Sequence, residues 1–149
     1  MIYLDYQATT PLAPEAREAM LRWLGEDDGF ANPSSTHKAG RAAAAAVEVA
    51  RDQVAALLPK GGRLFFTSGA TEALNWALLR GAEAMPGGVA GLSIEHAASL
   101  QCLERLNATI LPVDGEGLAL PPDDTMIPEN GIVAAMLVNN EVGTFDPGA

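Results

Sequence analysis

Small and hydroxyl-bearing residues stand at 67–71, between an apolar stretch and an amphipathic one. If a strand turns into a helix here, the glycine lets the backbone turn tightly, and the amides of Ala70 and Thr71 point outward from the first helical turn. Free amides at the positive end of a helix attract an anion such as phosphate, and the Thr71 hydroxyl adds a donor. The alternative is a simple N-cap made by Ser68 or Thr67.

A histidine follows a second apolar run, in the order Ile94-Glu95-His96. An imidazole just past a strand can stack on a flat ring, donate a hydrogen bond or move a proton. The alternative is a structural histidine that caps the helix beginning next.

Two neighbouring amides, Asn139 and Asn140, follow a third apolar run. They could bind a hydroxyl or phenolate oxygen of a ligand. The alternative is a turn, because Asn and Gly favour turns. In an open α/β sheet, ligands gather at the carboxyl ends of the strands, and three such ends here carry polar residues.

Other candidates are weaker. Cys102 lies among leucines in a helical pattern, which indicates a buried structural thiol. His37 and His96 have no cysteine or carboxylate partners at metal-binding spacing, so we predict no metal site. We find no Gly-x-Ser-x-Gly, Walker or dinucleotide-binding motif.

The hydrophobic periodicity predicts the elements that position these residues. Helices are expected over 14–24, 39–58, 70–80 (closed by Gly81) and 97–106, and strands over 63–67, 89–94, 109–113 and 132–138. Residues 115–130 read as a loop. The alternation of strand and helix predicts an α/β fold with three layers around a mostly parallel sheet, in one domain over 1–149.

Composition restricts the function classes. The chain has 149 residues and is 48% hydrophobic, which indicates a folded globular protein. Nine basic against nineteen acidic residues give a net charge of −10, which argues against a nucleic-acid partner.

The single cysteine excludes an intrachain disulfide and is consistent with a reducing compartment. We find no signal peptide and no apolar run of about 18 residues, so we expect a cytoplasmic protein without a membrane partner.

Five motifs in order resemble one known family. They are YLDYQATTP at 3–11, NPSSTHKAGR at 32–41, FTSGATEALN at 66–75, EH at 95–96 and VNNEVGT at 138–144. Together they resemble the N-terminal part of a cysteine desulfurase. These enzymes belong to the class V aminotransferases, use pyridoxal 5'-phosphate (PLP) and have the type I fold. The resemblance therefore implies that the chain is part of the large domain of that fold.

The resemblance implies a role for each matching position. Ala70 and Thr71 would hold the cofactor phosphate. His96 would stack on the pyridine ring and take part in proton transfer, which makes it the catalytic candidate. Asn140 would face the phenolic oxygen of the ring, with Asn139 as its neighbour. The loop 32–37 would lie near the mouth of the active site.

The implied reaction takes sulfur from L-cysteine, with PLP as electron sink, and yields alanine and a protein persulfide. Sulfur would pass to an acceptor protein for iron–sulfur cluster or thio-cofactor assembly, and the full-length enzyme would be a homodimer.

Parts of the family's pattern are absent from this sequence. The only lysines are Lys38 and Lys60, and neither lies in the Ser-Gly-His-Lys type of motif that carries the cofactor. Cys102 does not match the nucleophilic cysteine. We therefore expect a truncated large domain that is inactive by itself. The alternatives are a non-catalytic remnant that binds phosphate or a partner, and another class V enzyme such as a selenocysteine lyase.

Overall fold

The computed structural model describes residues 2–6, 8–25, 29–121, 123 and 126–146. The chain forms two compact units, Met1–Phe66 and Thr67–Ala149. The first unit contains two helices, α1 (Pro14–Leu21) and α2 (Lys38–Ala55). No helix in these described ranges is both long enough and apolar enough to cross a bilayer.

Local signals set the starts of both helices in the first unit. Helix α1 begins with a proline, whose fixed φ suits the first helical position, and it ends three residues before the predicted 14–24. Helix α2 begins after His37, whose Nδ1 accepts a hydrogen bond from the Gly40 amide at 3.2 Å. Gly40 is buried, and a Cβ there would lie 2.4 Å from the Ser35 carbonyl oxygen. A side chain at 40 would therefore displace the loop before α2.

The strand predicted over 63–67 does not form. Phe65 and Phe66 are 53% and 52% exposed. Arg51 donates from Nη1 to the Leu64 carbonyl oxygen at 2.6 Å, and its guanidinium lies 5.0 Å from the Phe66 ring centroid. A strand needs an adjacent strand for its backbone hydrogen bonds, and the described part of the first unit contains none. The apolar pattern alone was therefore misleading.

The second unit is an α/β arrangement with a parallel sheet, as predicted. Its elements are α3 (Ala70–Ala84), β1 (Val89–Leu92), α4 (Ala97–Arg105), β2 (Thr109–Leu111) and β3 (Ile132–Ala134). The strand order is β2-β1-β3, and both pairings are parallel. All four residues of the central strand β1 are buried, which explains its continuous apolar sequence.

The core lies on both faces of this sheet. On one face, Leu78 of α3 packs with Val89 and with Cys102 and Leu103 of α4. Cys102 is 2% exposed, which confirms the predicted buried thiol. A Cβ on Gly91 would lie 2.4 Å from Leu103 Cδ1, so the glycine lets α4 approach the strand. On the other face, the loop after β2 covers Ala90, Leu92 and Leu111 with Val113, Ala119 and Met126.

Two predicted element ends are wrong for a tertiary reason. Helix α3 does not close at Gly81 but continues to Ala84. A Cβ on Gly81 would lie 1.9 Å from Ile132 Cδ1, so this glycine allows close packing against β3 and does not act as a cap. Strand β3 ends at Ala134 and not at 138, where Val138 instead makes an isolated antiparallel bridge with Phe145.

Helix α4 ends in a Schellman motif. Asn107 has φ 52°, in the left-handed region. Its amide bonds to the Glu104 carbonyl at 3.0 Å, and the next amide, of Ala108, bonds to the Leu103 carbonyl at 2.9 Å. These bonds satisfy the last carbonyls of the helix and direct the chain into β2.

Candidate active site

The polar segments predicted to bind a ligand all lie in the second unit. Residues 94–96 follow β1, and residues 136–140 follow β3. Because these strands are parallel neighbours, their carboxyl ends meet at one edge of the sheet. Gly81, late in α3, lies against Ile132, the first residue of β3. The C-terminal part of α3 is therefore near the starts of the strands, and its N-terminus points toward the edge where the strands end.

The N-terminus of α3 has open backbone donors. The first helical hydrogen bond runs from the Ala73 amide to the Gly69 carbonyl, so the amides of Ala70 and Thr71 have no acceptor within the helix. Both residues are exposed. Gly69 is the N-cap and no side chain caps the helix, so the predicted alternative of capping by Ser68 or Thr67 is not adopted.

The chain bends at Ser68 and Gly69, as the sequence predicts, but Gly69 does not adopt a conformation that requires glycine. Its φ of 163° and ψ of 179° are those of extended backbone. A Cβ on Gly69 would meet nothing within 4 Å. Apart from its chain neighbours, no residue that the structure describes therefore fills the space beside the Gly69 Cα.

Glu72 is a feature of this helix end that the sequence analysis missed. Its Oε2 accepts hydrogen bonds from the Ser68 amide and the Ser68 hydroxyl, both at 2.6 Å. The Ser68 hydroxyl, and next the Ser68 amide, hold the pKa of Glu72 below its ordinary value. The signal in the sequence is a hydroxyl residue followed by a Glu in the first helical turn, a variant of the capping box.

His96 caps helix α4, which is the structural role considered in the sequence analysis, and its ring is nevertheless exposed to solvent. It is the N-cap of α4, where its Nδ1 accepts a hydrogen bond from the Ala98 amide at 3.1 Å. A nitrogen that accepts cannot carry the proton, so this geometry assigns the proton of the neutral ring to Nε2. His96 is exposed, and Nε2–H is therefore the group it offers to a ligand.

Glu95, next to His96, is buried and was not predicted to have a role. It is 7% exposed, and its Oε1 accepts a hydrogen bond from the Met136 amide at 2.7 Å. Burial raises the pKa of this carboxyl. Hydrogen bonds from the Met136 amide and the Ser99 side chain, and the charge of His96, act in the opposite direction.

Asn139 is structural, in contrast to its predicted availability for a ligand. It is 5% exposed, and its Nδ2 donates to the Ile94 carbonyl oxygen at 2.7 Å. Its Oδ1 accepts from the amides of Glu141 and Val142, both at 2.9 Å. Asn140 is exposed, and its side chain makes no hydrogen bond to the residues that the structure describes. Of the two amides, only Asn140 is available.

Other chemistry is not assembled in the described ranges. They contain no group of three or more His, Cys, Asp or Glu side chains placed to hold a metal ion. The second histidine, His37, lies in the first unit as the cap of α2.

The fold and this site together define an α/β protein in which a helix end with open backbone amides faces the same sheet edge as two polar strand ends. The chain belongs to the aminotransferase class-V family, whose sequence model matches residues 2–149. It is 41% identical over 157 residues to the cysteine desulfurase IscS of Dictyoglomus turgidum, covering 98% of this chain and 39% of that protein. It is 40% identical over 158 residues to a cysteine desulfurase of Sinorhizobium fredii, covering 98% of this chain and 40% of that protein.

Solved structures show the same fold. A NifS-like protein aligns with a TM-score of 0.79 and 32% identity, over 94% of this chain and 41% of the other. SspA in complex with cysteine aligns with a TM-score of 0.75 and 32% identity, over 97% of this chain and 44% of the other. The chain thus spans about two-fifths of the length of the relatives it matches.

Proposed function

We propose that this chain is the N-terminal part of a cysteine desulfurase and contributes the phosphate-binding and ring-contacting residues of a PLP site. The observation that carries the proposal is the open N-terminus of α3, where the amides of Ala70 and Thr71 lack acceptors in the described protein. Membership of the class-V family and the likeness to named cysteine desulfurases support it.

The donors at this helix end fit a phosphate group. A phosphate dianion needs several converging donors, and two amides, the Thr71 hydroxyl and the helix dipole supply them. The Glu72 carboxylate already takes the Ser68 amide and leaves the two downstream amides open. The open space beside Gly69 leaves room for a ligand to approach.

The remaining residues would act on the ring of the cofactor. PLP, when bound, supplies an electron sink for breaking bonds at the substrate. His96 offers a flat imidazole with a proton on Nε2, suited to stacking and to hydrogen-bond donation. Asn140 offers an amide that can donate to a phenolic oxygen. His96 is the residue to which we assign proton transfer, because among these groups it carries the imidazole, a side chain that can both donate and accept a proton.

We propose L-cysteine as the substrate of the whole protein, since one solved relative is a complex with cysteine. Its products would be alanine and sulfur carried to an acceptor protein, and its assembly a homodimer. We place it in the cytoplasm because it has a single buried cysteine. A net charge of −10 argues against a nucleic-acid partner.

A titration of the chain with PLP tests this site. In ¹H–¹⁵N correlation spectra, the amide signals of Ala70 and Thr71 should shift with PLP, while pyridoxal, which lacks the phosphate, should leave them unmoved. The control signal is the Gly40 amide, which is already bonded to His37 in the first unit. Equal shifts with both compounds, or no shift at Ala70 and Thr71, would show that this helix end does not bind the phosphate.

A further inference from the structure

We infer that Glu95 and Asn139 are positioning residues that form a reciprocal clamp between the loops after β1 and β3, and so hold His96 and Asn140 toward the cofactor ring. The inference rests on the proposed function for the identity of the ligand. The clamp itself consists of two hydrogen bonds. Glu95, in the first loop, accepts from the Met136 amide in the second, and Asn139, in the second, donates to the Ile94 carbonyl in the first.

The clamp is reciprocal in its side chains: Glu95 of the first loop reaches the backbone of the second, and Asn139 of the second reaches the backbone of the first. Both donors lie in the second loop, and both bonds are 2.7 Å long. They join positions 41 and 45 residues apart in the chain, so they are tertiary contacts and not features of a local turn. Strand pairing between β1 and β3 stops at Gly91 and Ala134. The clamp therefore continues the connection between the two segments beyond the point where the hydrogen-bonded pairing of β1 and β3 ends.

The burial pattern links the clamp to the site. Glu95 and Asn139 are 7% and 5% exposed, while the next residue in each case, His96 and Asn140, is exposed. Fixing one side chain inward restricts the backbone of its neighbour, so the two ring-contacting groups share one rigid support. A buried polar side chain without such a hydrogen bond would be destabilising, because nothing would compensate for its lost hydration.

His96 is held by more than the clamp. Glu95 precedes the N-cap of α4 and also bonds to Ser99, a residue of the first turn that is 1% exposed. The His96 ring bonds to the Ala98 amide through Nδ1. The clamp thus connects the start of α4 to the exit of β3, with His96 between them.

The first test needs no substitution. Hydrogen exchange of the Met136 amide in the unmodified chain should be slowed to a degree similar to that of the Gly91 amide within the sheet. Exchange at the rate of an open loop amide would overturn the clamp. This measurement is made without PLP, so it stands whether or not the cofactor binds.

Substitutions test the positioning role. Glu95→Ala removes the acceptor, while Glu95→Gln keeps a side-chain oxygen for the Met136 amide. Asn139→Asp removes the donor to Ile94 but keeps the oxygen that bonds to Glu141 and Val142. We expect Glu95→Ala and Asn139→Asp to shift or broaden the NMR signals of the His96 ring and the Asn140 side-chain amide, and Glu95→Gln to preserve them.

Asp114→Ala is the matched control. Asp114 also bonds backbone amides, those of Glu116 and Leu118, but only within its own loop. The Asp114→Ala substitution should lower the stability of the second unit without moving the NMR signals of the His96 ring and the Asn140 side-chain amide. If Asp114→Ala moves them as much as Asn139→Asp does, the clamp has only a general structural role, and the positioning proposal is wrong.

Affinity for PLP gives the functional readout. Glu95→Ala and Asn139→Asp should weaken binding about tenfold, the equivalent of one lost buried hydrogen bond, and Glu95→Gln should stay within about twofold of the parent chain. Unchanged affinity and unmoved ring signals in both disruptive variants would overturn the inference. Absence of PLP binding in the parent chain would instead count against the proposed function and leave the exchange and NMR results valid.

Discussion

The Glu72 carboxylate receives two hydrogen bonds from Ser68, one from the backbone amide and one from the hydroxyl, each at 2.6 Å. The carboxylate thus stands at the positive end of α3, where a negative charge is favoured. It ties the extended segment before the helix to the first helical turn. The orientation of the open amides of Ala70 and Thr71 depends on that attachment.

Glu72→Gln should therefore destabilise the start of α3 at neutral pH. The pKa of Glu72 is lowered in the folded chain, so its contribution is fully present above its ordinary value of 4.5 and is lost as the pH falls through the lowered pKa. The difference in unfolding free energy between Glu72→Gln and the parent should be seen in urea denaturation at pH 7 and should shrink at acidic pH. A difference that does not change with pH would mean that the charge has no role.

The opposite pH dependence is expected for Glu95. Burial raises its pKa, so its favourable contribution is present below 4.5 and is lost as the pH rises through the raised pKa. Glu95→Gln keeps the oxygen for the Met136 amide and cannot ionise. The stability of the variant relative to the parent should increase as the pH rises from 4.5 through that raised pKa, as measured by chemical denaturation across the range.

The groups that face the Glu95 carboxyl are the Met136 amide, Ser99 and His96. The charge of His96 therefore also acts on the Glu95 carboxyl. Comparing His96→Asn with the double variant Glu95→Gln/His96→Asn measures the effect of Glu95 without that charge. If Glu95→Gln is less stable than the parent by an increasing amount as the pH rises, the assigned direction of the pKa shift is wrong.

His96 should have two separable roles, as the N-cap of α4 and as the imidazole that contacts the cofactor. His96→Ala removes the Nδ1 acceptor for the Ala98 amide and should lower stability by about 1 kcal/mol, the usual value of an N-cap. His96→Asn retains a capping oxygen and should restore most of that loss, yet without an imidazole it should not restore PLP affinity. ¹⁵N shifts of the parent ring at high pH should show the proton on Nε2. A proton on Nδ1 would rule out the cap in solution.

Asn107 gives a test of the fold away from the site. Its φ of 52° lies where only Gly, and less readily Asn, is comfortable. Asn107→Ala should destabilise the second unit by about 1 kcal/mol, and Asn107→Gly should be neutral or slightly stabilising. Thermal unfolding of both variants measures the difference. Equal effects of Ala and Gly would contradict a left-handed residue at this position.

Much of the second unit can be predicted from the sequence, because its signals are local. The three- and four-residue spacing identified α3 and α4, and the short apolar runs identified β1, β2 and β3. The small residues at 67–71 indicated a helix end with open amides, and the amides of Ala70 and Thr71 are indeed without acceptors in the described chain. Each of these features depends on residues within one or two turns of one another.

Contacts between distant segments decided the rest. The sequence alone identified the pairs Glu95-His96 and Asn139-Asn140, but not which member of each pair is buried. That choice follows from hydrogen bonds across 41 and 45 residues, which no periodicity records. Gly81 lies inside α3 because Ile132 packs against it, and residues 63–67 form no strand because a strand requires a neighbour. The sequence by itself determined the helices and strands of the second unit and the chemistry available at their ends, although not every element boundary. Only tertiary structure assigned the inward and outward side chains, since burial is a property of the surroundings and not of the local pattern.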